Sequence, residues 1–474
     1  MPASPHGDAG IAVLRTWWGP HIAWPVLPVT CFDQLCTRLL LMRNSRGNVS
    51  LKTGRFGGRW VRSFTAVAAT VVAASGLVSV APQTADAARN FYVPPSTFDT
   101  TPGSVIRTQP SSLLLQIPGV KNQWPGTATR IMYTSTLQNG EPTAVTGTVV
   151  EPTARWQGKG VRPTVVIGPG TVGQGDQCAG SKLMSFPLAI DPTKPSIAVN
   201  YTALEMNLML LNGVRVVITD YVGLGTPGIH TYVNRLESGR AMLDAARAGL
   251  KVANAPKDAP VGFTGYSQGG GAAASAAELA STYGSGLNVK GTYAGAPPAD
   301  LSKVITKIDG TFIAGAIGYA INGLEARYPA LAPVLKKETN AQGKRVLHDV
   351  ATQCIGDTGL SFGFQRTTGW TRRGESLASV INRYPEVKAM LDDQRIGRLK
   401  PNAPVLISTG INDDVIPTGQ VVQLYRDWKA QGADVHLERD YTPPIFPGLV
   451  VNHALPMVFK LLPATSFLLS SFND

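Results

Sequence analysis

A serine between two glycines lies where a strand is predicted to turn into a helix. Residues Gly265-Tyr-Ser267-Gln-Gly269 match the pattern G-x-S-x-G, with the apolar run 261–264 before them and a run of small residues after them. In a chain with 50 Gly this pattern also arises by chance, so an ordinary glycine-rich turn is the alternative. The strand and helix context favours a nucleophile elbow, because small flanking residues let the strained turn form around Ser267.

A serine hydroxyl is a weak nucleophile at neutral pH, so it needs an imidazole base that a carboxylate orients. On folds with this elbow the order along the chain is Ser, acid, His. Of the six His, this order leaves His436 and His453. His436 alternates within a predicted strand at 434–438, where we expect a structural side chain. His453 lies in a loop that runs into a helix, so we predict that His453 is the base.

The candidate acid follows another predicted strand. Residues 405–408 are apolar, and the loop after them contains Asp413 and Asp414 before Pro417. Catalytic carboxylates of this fold lie just beyond such a strand end, so both residues qualify on spacing alone. The alternative role, for whichever is not catalytic, is to cap the following helix.

The elements that must position these residues alternate along the chain. Residues 129–137 and 144–150 are β-rich around Asn139-Gly140, a strong hairpin signal. Short apolar runs bounded by Gly or Pro are typical of strands buried on both faces of a parallel sheet. These runs are 164–167, 214–219, 261–264, 289–293 and 405–408, with helical candidates at 235–250, 268–283 and 420–430. The pattern predicts an α/β fold with a mainly parallel central sheet.

Residues 299–399 interrupt this alternation and are called the cap below. They contain no clear strand but several amphipathic stretches, among them 301–308, 313–324 and 377–392. We therefore predict a helical insertion between a first core part at 88–298 and a last core part at 400–474. Its apolar segments at 312–319 and 360–364 are candidates to line a substrate-binding channel, with ordinary core packing as the equal alternative.

The beginning of the chain resembles an export signal in composition. Residues 63–85 carry no charge, basic residues precede them, and Ala85-Asp86-Ala87 follows as a small-x-small cleavage site. The run is long enough for an uncleaved membrane anchor, but its Ala, Val, Thr and Ser content and Pro82 favour cleavage. We predict a secreted chain that begins near Ala88 and keeps no stable transmembrane segment.

The export signal begins unusually late, so Met42 is an alternative start. Cys31 and Cys36 would then be absent from the exported protein, which would keep only Cys178 and Cys354. Exported cysteines meet an oxidising environment in which disulfides persist.

Net charge does not indicate a nucleic-acid-binding protein. Lys and Arg outnumber Asp and Glu by 43 to 31, but residues 1–87 contain eight bases and three acids, so the remainder is 35 against 28, or +7. This remainder has no run of five bases, and the chain has no helix-turn-helix, zinc-finger or RNP pattern.

Several motifs together point to one family. They are Gly168-Pro-Gly-Thr171, Gly175-Asp-Gln-Cys178-Ala, Asp220-Tyr-Val-Gly-Leu-Gly225-Thr-Pro-Gly-Ile-His230, Gly265-Tyr-Ser267-Gln-Gly-Gly, Asp413-Asp-Val-Ile-Pro417 and His453-Ala-Leu-Pro. With them, the chain from about residue 95 to its end resembles the secretory lipases of the Candida antarctica lipase A type. This family has the α/β-hydrolase fold, many exported actinobacterial members and a cap between elbow and acid.

The resemblance implies hydrolysis of carboxylic esters through an acyl-enzyme formed on Ser267. The family's acid is the first Asp of an Asp-x-x-hydrophobic-Pro pattern, which selects Asp413, with His453 as the base. Backbone N–H groups of Gln268 and of Thr171, in the loop after strand 164–167, are the expected oxyanion donors. The resemblance also implies a disulfide between Cys178 and Cys354.

The reaction that the resemblance implies needs no cofactor and no metal. Asp176 and Asp220 are the candidates for a cation site, but isolated acids beside glycine turns usually cap backbone groups. The expected partner is an ester or lipid substrate, and acyl transfer to a cell-envelope alcohol by the same triad is the alternative reaction. Acyl length, contact with a lipid–water interface, attachment to the cell envelope and oligomeric state are left open by the sequence.

Overall fold

The computed structural model describes residues 91–114, 116, 123–184, 188–190 and 197–474. The predicted export segment, its cleavage site at Ala87, the alternative start at Met42, and Cys31 and Cys36 lie outside these residues.

The centre of the described chain is a nine-stranded sheet with the order β1-β2-β3-β7-β4-β8-β9-β10-β11. The strands are β1 Val105–Ser111, β2 Gly126–Thr136, β3 Pro142–Pro152, β4 Thr164–Gly168, β7 Arg215–Thr219, β8 Pro260–Tyr266, β9 Asn288–Gly295, β10 Val405–Gly410 and β11 Val435–Asp440. Strands β5 Leu188–Ile190 and β6 Ile197–Val199 form a separate two-stranded sheet. From β7 to β11 all neighbours in the large sheet are parallel, and β1, β2, β3 and β7 pair antiparallel. The mainly parallel α/β-hydrolase sheet predicted from the sequence is confirmed.

The hairpin between β2 and β3 turns at Asn139-Gly140, as predicted. Gly140 has φ +94°, which residues with a Cβ rarely adopt, and its N–H donates to the Leu137 carbonyl at 3.0 Å. Leu137 N–H donates in turn to the Glu141 carbonyl at 2.8 Å and closes the turn.

Helices cover both faces of the sheet. The core helices are α1 Thr202–Leu211, α2 Arg235–Val252, α3 Gln268–Leu279, α11 Thr418–Ala430, α12 Val451–Phe459 and α13 Leu461–Ser471. Strand β4 is buried along its whole length: Val166 packs in the cluster with α2 and α3, whereas Val165 and Ile167 pack in the cluster with α1 and α13. Alternate side chains therefore face two helical layers, which is why these strands read as continuous apolar runs.

The cap is mainly helical. Between β9 and β10 the chain forms α4 Leu301–Ile308, α5 Ala316–Glu325, α6 Leu331–Glu338, α7 Ala341–Val350, α8 Ile355–Phe362, α9 Leu377–Arg383 and α10 Pro385–Asp393. All of residues 299–399 are described, and none of them lies in a strand. The stretch 377–392, expected as one amphipathic segment, breaks before Pro385, because proline lacks an N–H and clashes with the preceding turn of a helix.

Within the described residues, no single helix is long and apolar enough to cross a membrane. Helices α12 and α13 meet that criterion only as a pair, across a bend of 41°.

Candidate active site

Ser267 lies at the sharp turn between β8 and α3. Its φ of +59° and ψ of −122° are outside the regions that side-chain-bearing residues favour, so the surrounding turn must impose them. A Cβ at Gly265 would lie 2.5 Å from the Gly269 backbone, and a Cβ at Gly269 would lie 1.9 Å from the Gly168 carbonyl oxygen. Both glycines of the G-x-S-x-G pattern are therefore required sterically, and the turn holds a strained, partly exposed serine at the end of the strand.

His453 lies in the first turn of α12 and pairs with Asp413. Its Nδ1 lies 2.9 and 3.0 Å from the two carboxylate oxygens of Asp413, and both residues are buried. The Tyr266 hydroxyl donates to the His453 carbonyl at 3.0 Å, so the residue before the serine also fixes the helix turn that carries the imidazole. Since Nδ1 faces Asp413, Nε2 remains for the pocket that His453 and Ser267 both line.

Asp413 is oriented by its own loop. Its Oδ1 accepts hydrogen bonds from the backbone N–H groups of Val415 and Ile416, each at 2.8 Å. These donors stabilise the carboxylate charge and fix the oxygen that faces the imidazole.

Asp414 does not cap α11, which was the alternative role for the second aspartate. Its Oδ2 accepts from the backbone N–H groups of Gly448 at 3.0 Å and Val450 at 2.8 Å. Val450, at the start of α12, has φ +67°, a left-handed conformation that is unfavourable for a β-branched residue. Asp414 therefore holds the strained loop that delivers His453.

His436 lies away from this pocket and has a different environment from the one expected. It lies on β11, the edge strand, where its side chain is 63% exposed and its Nε2 lies 3.2 Å from Asp434. The expected structural role is wrong, because strand alternation buries Val435 and turns His436 to solvent.

The residues of the two expected oxyanion donors line the same pocket as Ser267. Gln268 is the first residue of α3, so its N–H has no acceptor within the helix, and the helix dipole makes this end attractive to negative charge. Thr171 follows β4 and lines the same pocket, with its hydroxyl 2.7 Å from the Tyr232 hydroxyl. Gly170 lets this loop approach closely, since a Cβ there would lie 2.3 Å from the Tyr201 hydroxyl.

His230 fixes the side chain of Gln268, a contact that the sequence analysis missed. Its Nδ1 lies 3.0 Å from the Val222 carbonyl and its Nε2 lies 3.0 Å from Nε2 of Gln268. Burial lowers the pKa of His230 to about 4, so the ring is neutral. Nδ1–H therefore donates to Val222, and Nε2 accepts from the Gln268 amide. His230 belongs to a motif that carried the family resemblance, but nothing in the sequence linked it to Gln268, 38 residues later.

Ser267 lines an apolar cavity of about 230 Å³ between the core and the cap. Helix α4 contributes Leu301, Val304, Ile305 and Ile308, whose spacing places them on one face of the helix. The other apolar lining residues are Val233, Pro298, Ile313, Ala316, Ile317, Ala320, Ile355, Val415, Ile416, Val450, Ala454 and Met457.

The two candidate channel segments of the cap differ. The segment 312–319 supplies Ile313, Ala316 and Ile317 to the cavity. The segment 360–364 supplies no lining residue, because Phe362 is buried in the core cluster and Phe364 is exposed.

Cys178 and Cys354 form a disulfide, with a Cα–Cα distance of 5.6 Å. Cys178 lies in the loop after β4 and Cys354 precedes α8, so the bridge connects this loop to the cap.

Asp176 and Asp220 bind protein groups. Asp176 accepts from the Gly225 N–H at 2.9 Å, and Asp220 accepts from the Ser181 N–H at 2.8 Å and the Thr146 hydroxyl at 2.7 Å. Across the described part of the chain, no three His, Cys, Asp or Glu residues are grouped as a metal site.

Comparison with known proteins gives consistent matches. A family model described as secretory lipase matches residues 190–459, more than half of the 474-residue chain. A probable inactive lipase from Mycobacterium tuberculosis is 29% identical over 394 residues, covering 78% of this chain and 80% of the relative. A secreted triacylglycerol lipase from Malassezia restricta is 28% identical over 392 residues, covering 80% of this chain and 78% of the relative.

Among solved structures, Candida antarctica lipase A in its closed state is similar, with a TM-score of 0.67 and 22% identity over 81% of this chain and 85% of that chain. This likeness agrees with the α/β-hydrolase sheet described above. By the family model that covers more than half of its length, the chain belongs to the secretory lipase family.

Proposed function

We propose that the protein is an exported serine hydrolase of carboxylic esters, with Ser267 as nucleophile, His453 as base and Asp413 as orienting acid. The observation that carries this proposal is the His453–Asp413 pair at 2.9 Å beside a strained serine in one apolar pocket. Membership of the secretory lipase family supports the reaction class.

In the proposed reaction, Oγ of Ser267 attacks the ester carbonyl carbon while Nε2 of His453 takes the hydroxyl proton. Collapse of the tetrahedral intermediate breaks the bond to the leaving alcohol, which receives that proton from His453. Water then attacks the acyl-enzyme with His453 again as base, and releases the carboxylic acid and free Ser267. Asp413 stabilises the imidazolium that forms in both halves and remains ionised throughout.

The developing oxyanion requires donors that are already in place. The N–H of Gln268, at the N-terminus of α3, is suited to this role, and the N–H of Thr171 is the proposed second donor. Loss of one such donor typically costs about 3 kcal/mol of transition-state stabilisation.

The proposed substrate is an ester with a hydrocarbon acyl group. The cavity beside Ser267 is lined mainly by aliphatic side chains from α4 and its neighbours, which would solvate a chain of methylene groups. Export is proposed from the charge-free segment 63–85 and its small-x-small site, and relatives are named as secreted.

The decisive test is hydrolysis of p-nitrophenyl esters from two to eighteen carbons, with and without an oil–water interface. We expect wild-type turnover, covalent labelling of Ser267 by a fluorophosphonate, and loss of both in Ser267→Ala. His453→Ala should lower turnover by several orders of magnitude, because triad members act as a unit. His436→Ala is the matched control and should keep near-wild-type turnover, since its side chain is exposed.

This test matters because one relative is named a probable inactive lipase. No ester turnover and no labelling of folded wild-type protein would refute the proposal. With a competing alcohol present, formation of new ester in preference to free acid would establish acyl transfer as the reaction.

A further inference from the structure

Some segments that line the pocket also carry large apolar residues on the outside. Leu360 is 73% exposed, Phe446 68%, Phe364 54% and Leu449 45%. We call these four residues the apolar ridge. Large exposed apolar side chains that lie together mark sites of interaction with a membrane or with another protein.

The ridge is held together by contacts between the cap and the loop before His453. Phe312 N–H donates to the Gly448 carbonyl at 2.8 Å, and Phe364 N–H donates to the Thr311 carbonyl at 2.8 Å. The rings of Phe312 and Phe364 lie 6.0 Å apart, and Leu449 N–H donates to the Phe446 carbonyl at 3.1 Å.

The pocket lies directly behind this ridge. Ile355 and Val450 line the pocket, and they lie on the same segments as the exposed Leu360 and Leu449. Ile313 also lines the pocket and follows Phe312, whose half-buried ring packs against Phe364. The ridge therefore surrounds part of the pocket wall and is continuous with it.

A second surface of the cap is strongly basic. Segments 336–345 and 366–373 hold seven Lys and Arg and a single acid, Glu338. We call the following six exposed side chains the cationic face: Lys336, Lys344, Arg345, Arg366, Arg372 and Arg373. Within the described residues none of the six forms an ion pair.

The single acid does not neutralise this face. Glu338 is buried and is bonded to Arg383 at 2.7 Å and to the Tyr384 hydroxyl at 2.5 Å. Asp309, which accepts from the Thr367 N–H at 2.8 Å, and Asp349, one helical turn after Arg345, lie beside the face. The cations outnumber these acids, so the face keeps an excess of positive charge.

The cationic face adjoins the apolar ridge. Gln365, between Phe364 and Arg366, accepts hydrogen bonds from Gln342 of α7 at 3.2 Å and from the Trp370 indole at 3.1 Å. Gln342 in turn accepts from Arg345.

The other cations lie on the two segments that backbone hydrogen bonds join near Trp370. Its carbonyl accepts from Asn340 N–H at 2.9 Å, and Arg372 N–H donates to the Glu338 carbonyl at 2.7 Å. Segments 336–345 and 366–373 are therefore one continuous surface that begins at the ridge.

We infer that the ridge and the cationic face together dock the protein on an anionic lipid surface. Cations near such a surface are attracted by its negative potential, an attraction that salt screens, and apolar side chains that enter the hydrocarbon region add burial energy. A dissolved polyanion would use the cations but leave the ridge exposed to water, so a lipid surface fits both features. The docking itself needs no catalysis, whereas delivery of an acyl chain to Ser267 rests on the proposed function.

The test is flotation of the Ser267→Ala protein with vesicles of phosphatidylcholine alone or mixed with phosphatidylglycerol. We expect at least tenfold tighter binding to the anionic vesicles in 0.1 M salt, and most of that preference lost in 0.5 M salt. Lys344→Glu/Arg366→Glu should weaken binding to anionic vesicles at least tenfold. Leu360→Ser/Phe364→Asn should weaken it on both vesicle types, and asparagine tolerates the φ of +62° at position 364.

Two exposed lysines outside the cap, each preceding a strand of the large sheet, serve as matched controls. Lys257 precedes β8 and Lys429 precedes β11, both are exposed, and Lys257→Glu/Lys429→Glu makes the same change in net charge. Leu211→Ser, at the end of α1, is the control for the ridge. Neither control should change vesicle binding by more than about twofold.

Three results would overturn the inference. The first is equal binding to neutral and anionic vesicles. The second is an equal effect of Lys344→Glu/Arg366→Glu and Lys257→Glu/Lys429→Glu. The third is retention on an anionic polysaccharide without vesicle binding. The Lys344→Glu/Arg366→Glu change in an otherwise wild-type chain should leave turnover of a dissolved short ester unchanged. If wild type turns over no ester but still binds anionic vesicles, the proposed function fails and the docking surface stands.

Discussion

Asp413 and Asp414 are adjacent, yet their side chains hold different parts of the site. Asp413 contacts the imidazole of His453 directly, whereas Asp414 accepts from the N–H groups of Gly448 and Val450 in the loop before it. One carboxylate therefore orients the His453 imidazole, and the other maintains the strained entry to α12, the helix that carries His453.

Substitution by asparagine should separate the two roles. Asp413→Asn places an amide opposite Nδ1 and favours the wrong tautomer, so turnover should fall by roughly 10⁴. Asp414→Asn keeps an oxygen that can accept from Gly448 and Val450, so turnover should stay within about tenfold. Asp414→Ala leaves these two N–H donors unpaired and should cost about 1–3 kcal/mol of stability for each. Steady-state kinetics and urea denaturation measure these effects. Equal losses of turnover in the two asparagine variants would contradict the assignment.

His230 makes part of the stability depend on pH. Its pKa is about 4 in the folded protein against 6.5 for a free imidazole, because burial disfavours the charged ring. As pH falls from about 6.5 to about 4 the unfolded chain gains a proton that the folded chain does not, so this contribution is complete above pH 6.5 and is lost on acidification. The loss should reach about 3 kcal/mol.

His230→Phe keeps the ring contacts with Tyr221 and Tyr232 but removes the acceptor for Gln268. We expect urea unfolding of this variant to depend less on pH between 6.5 and 4 than that of wild type, and kcat to fall because the Gln268 side chain is no longer held. His348→Phe is the control, since His348 is 88% exposed. An identical pH slope in wild type and His230→Phe would disprove the role of burial.

At the level of secondary structure, the sequence predicted the elements whose pattern reflects their own burial. The parallel strands are buried on both faces and therefore read as apolar runs, and the hairpin turn needs the glycine at position 140. Elements without such a pattern were missed, among them β1 and α1. Strand β1 pairs only with β2 at the sheet edge and contains Pro110, and α1 has the nearly continuous apolar sequence TALEMNLMLL, which lacks a polar face.

The candidate site was predictable where local geometry constrains residue type. The glycines around Ser267 are required by atoms they would otherwise overlap, so the elbow is visible in sequence. The choice between Asp413 and Asp414, the exposure of His436 and the contact of His230 with Gln268 depend on how distant segments pack. Spacing along the chain carries no information on such contacts, so the family resemblance was needed for Asp413.

Helix α4 lies between the pocket beside Ser267 and a second cavity in the cap. This second cavity has a volume of about 60 Å³ and apolar walls that include Leu331, Val380 and Ile381, and Ile305 lines both cavities. Ile305→Ala should join them and move the optimum toward longer acyl chains, at a cost of about 2–5 kcal/mol in stability. Turnover across the p-nitrophenyl ester series measures the shift.

Ile381→Ala is the matched control for this change. Ile381 lines the second cavity but not the pocket beside Ser267, so its truncation should cost similar stability without a change in chain-length preference. A uniform loss on all esters in Ile305→Ala, parallel to its loss of stability, would show that Ile305 only packs the core.

At the scale of the whole molecule, the cap is joined to the core by buried polar contacts as well as by the disulfide. Arg327 of the cap donates to Glu237 of α2 at 2.5 Å. Glu278 of α3 accepts from the N–H groups of Gly397 at 2.7 Å and Leu399 at 3.1 Å, where the cap returns to the core. These contacts should keep the cap attached when the disulfide is absent.

The disulfide has a more local task beside its effect on unfolding. It joins residues 176 positions apart, and Ile355 N–H donates to the Val172 carbonyl at 2.9 Å next to it, so the cap supports the loop that begins with Thr171. Cys178→Ala/Cys354→Ala should lower the free energy of unfolding by up to about 5 kcal/mol in the chain-entropy model. It should also lower kcat on short and long esters alike, but by less than the roughly 100-fold that loss of an oxyanion donor causes.

Gln177→Ala, which removes only the bond to the Thr352 carbonyl at 2.7 Å, is the control and should cost about 1 kcal/mol with kcat unchanged. Lost stability with wild-type kcat in the double variant would limit the disulfide to stabilising the fold. The proposed role of Thr171 as an oxyanion donor requires that a loosened loop lowers kcat.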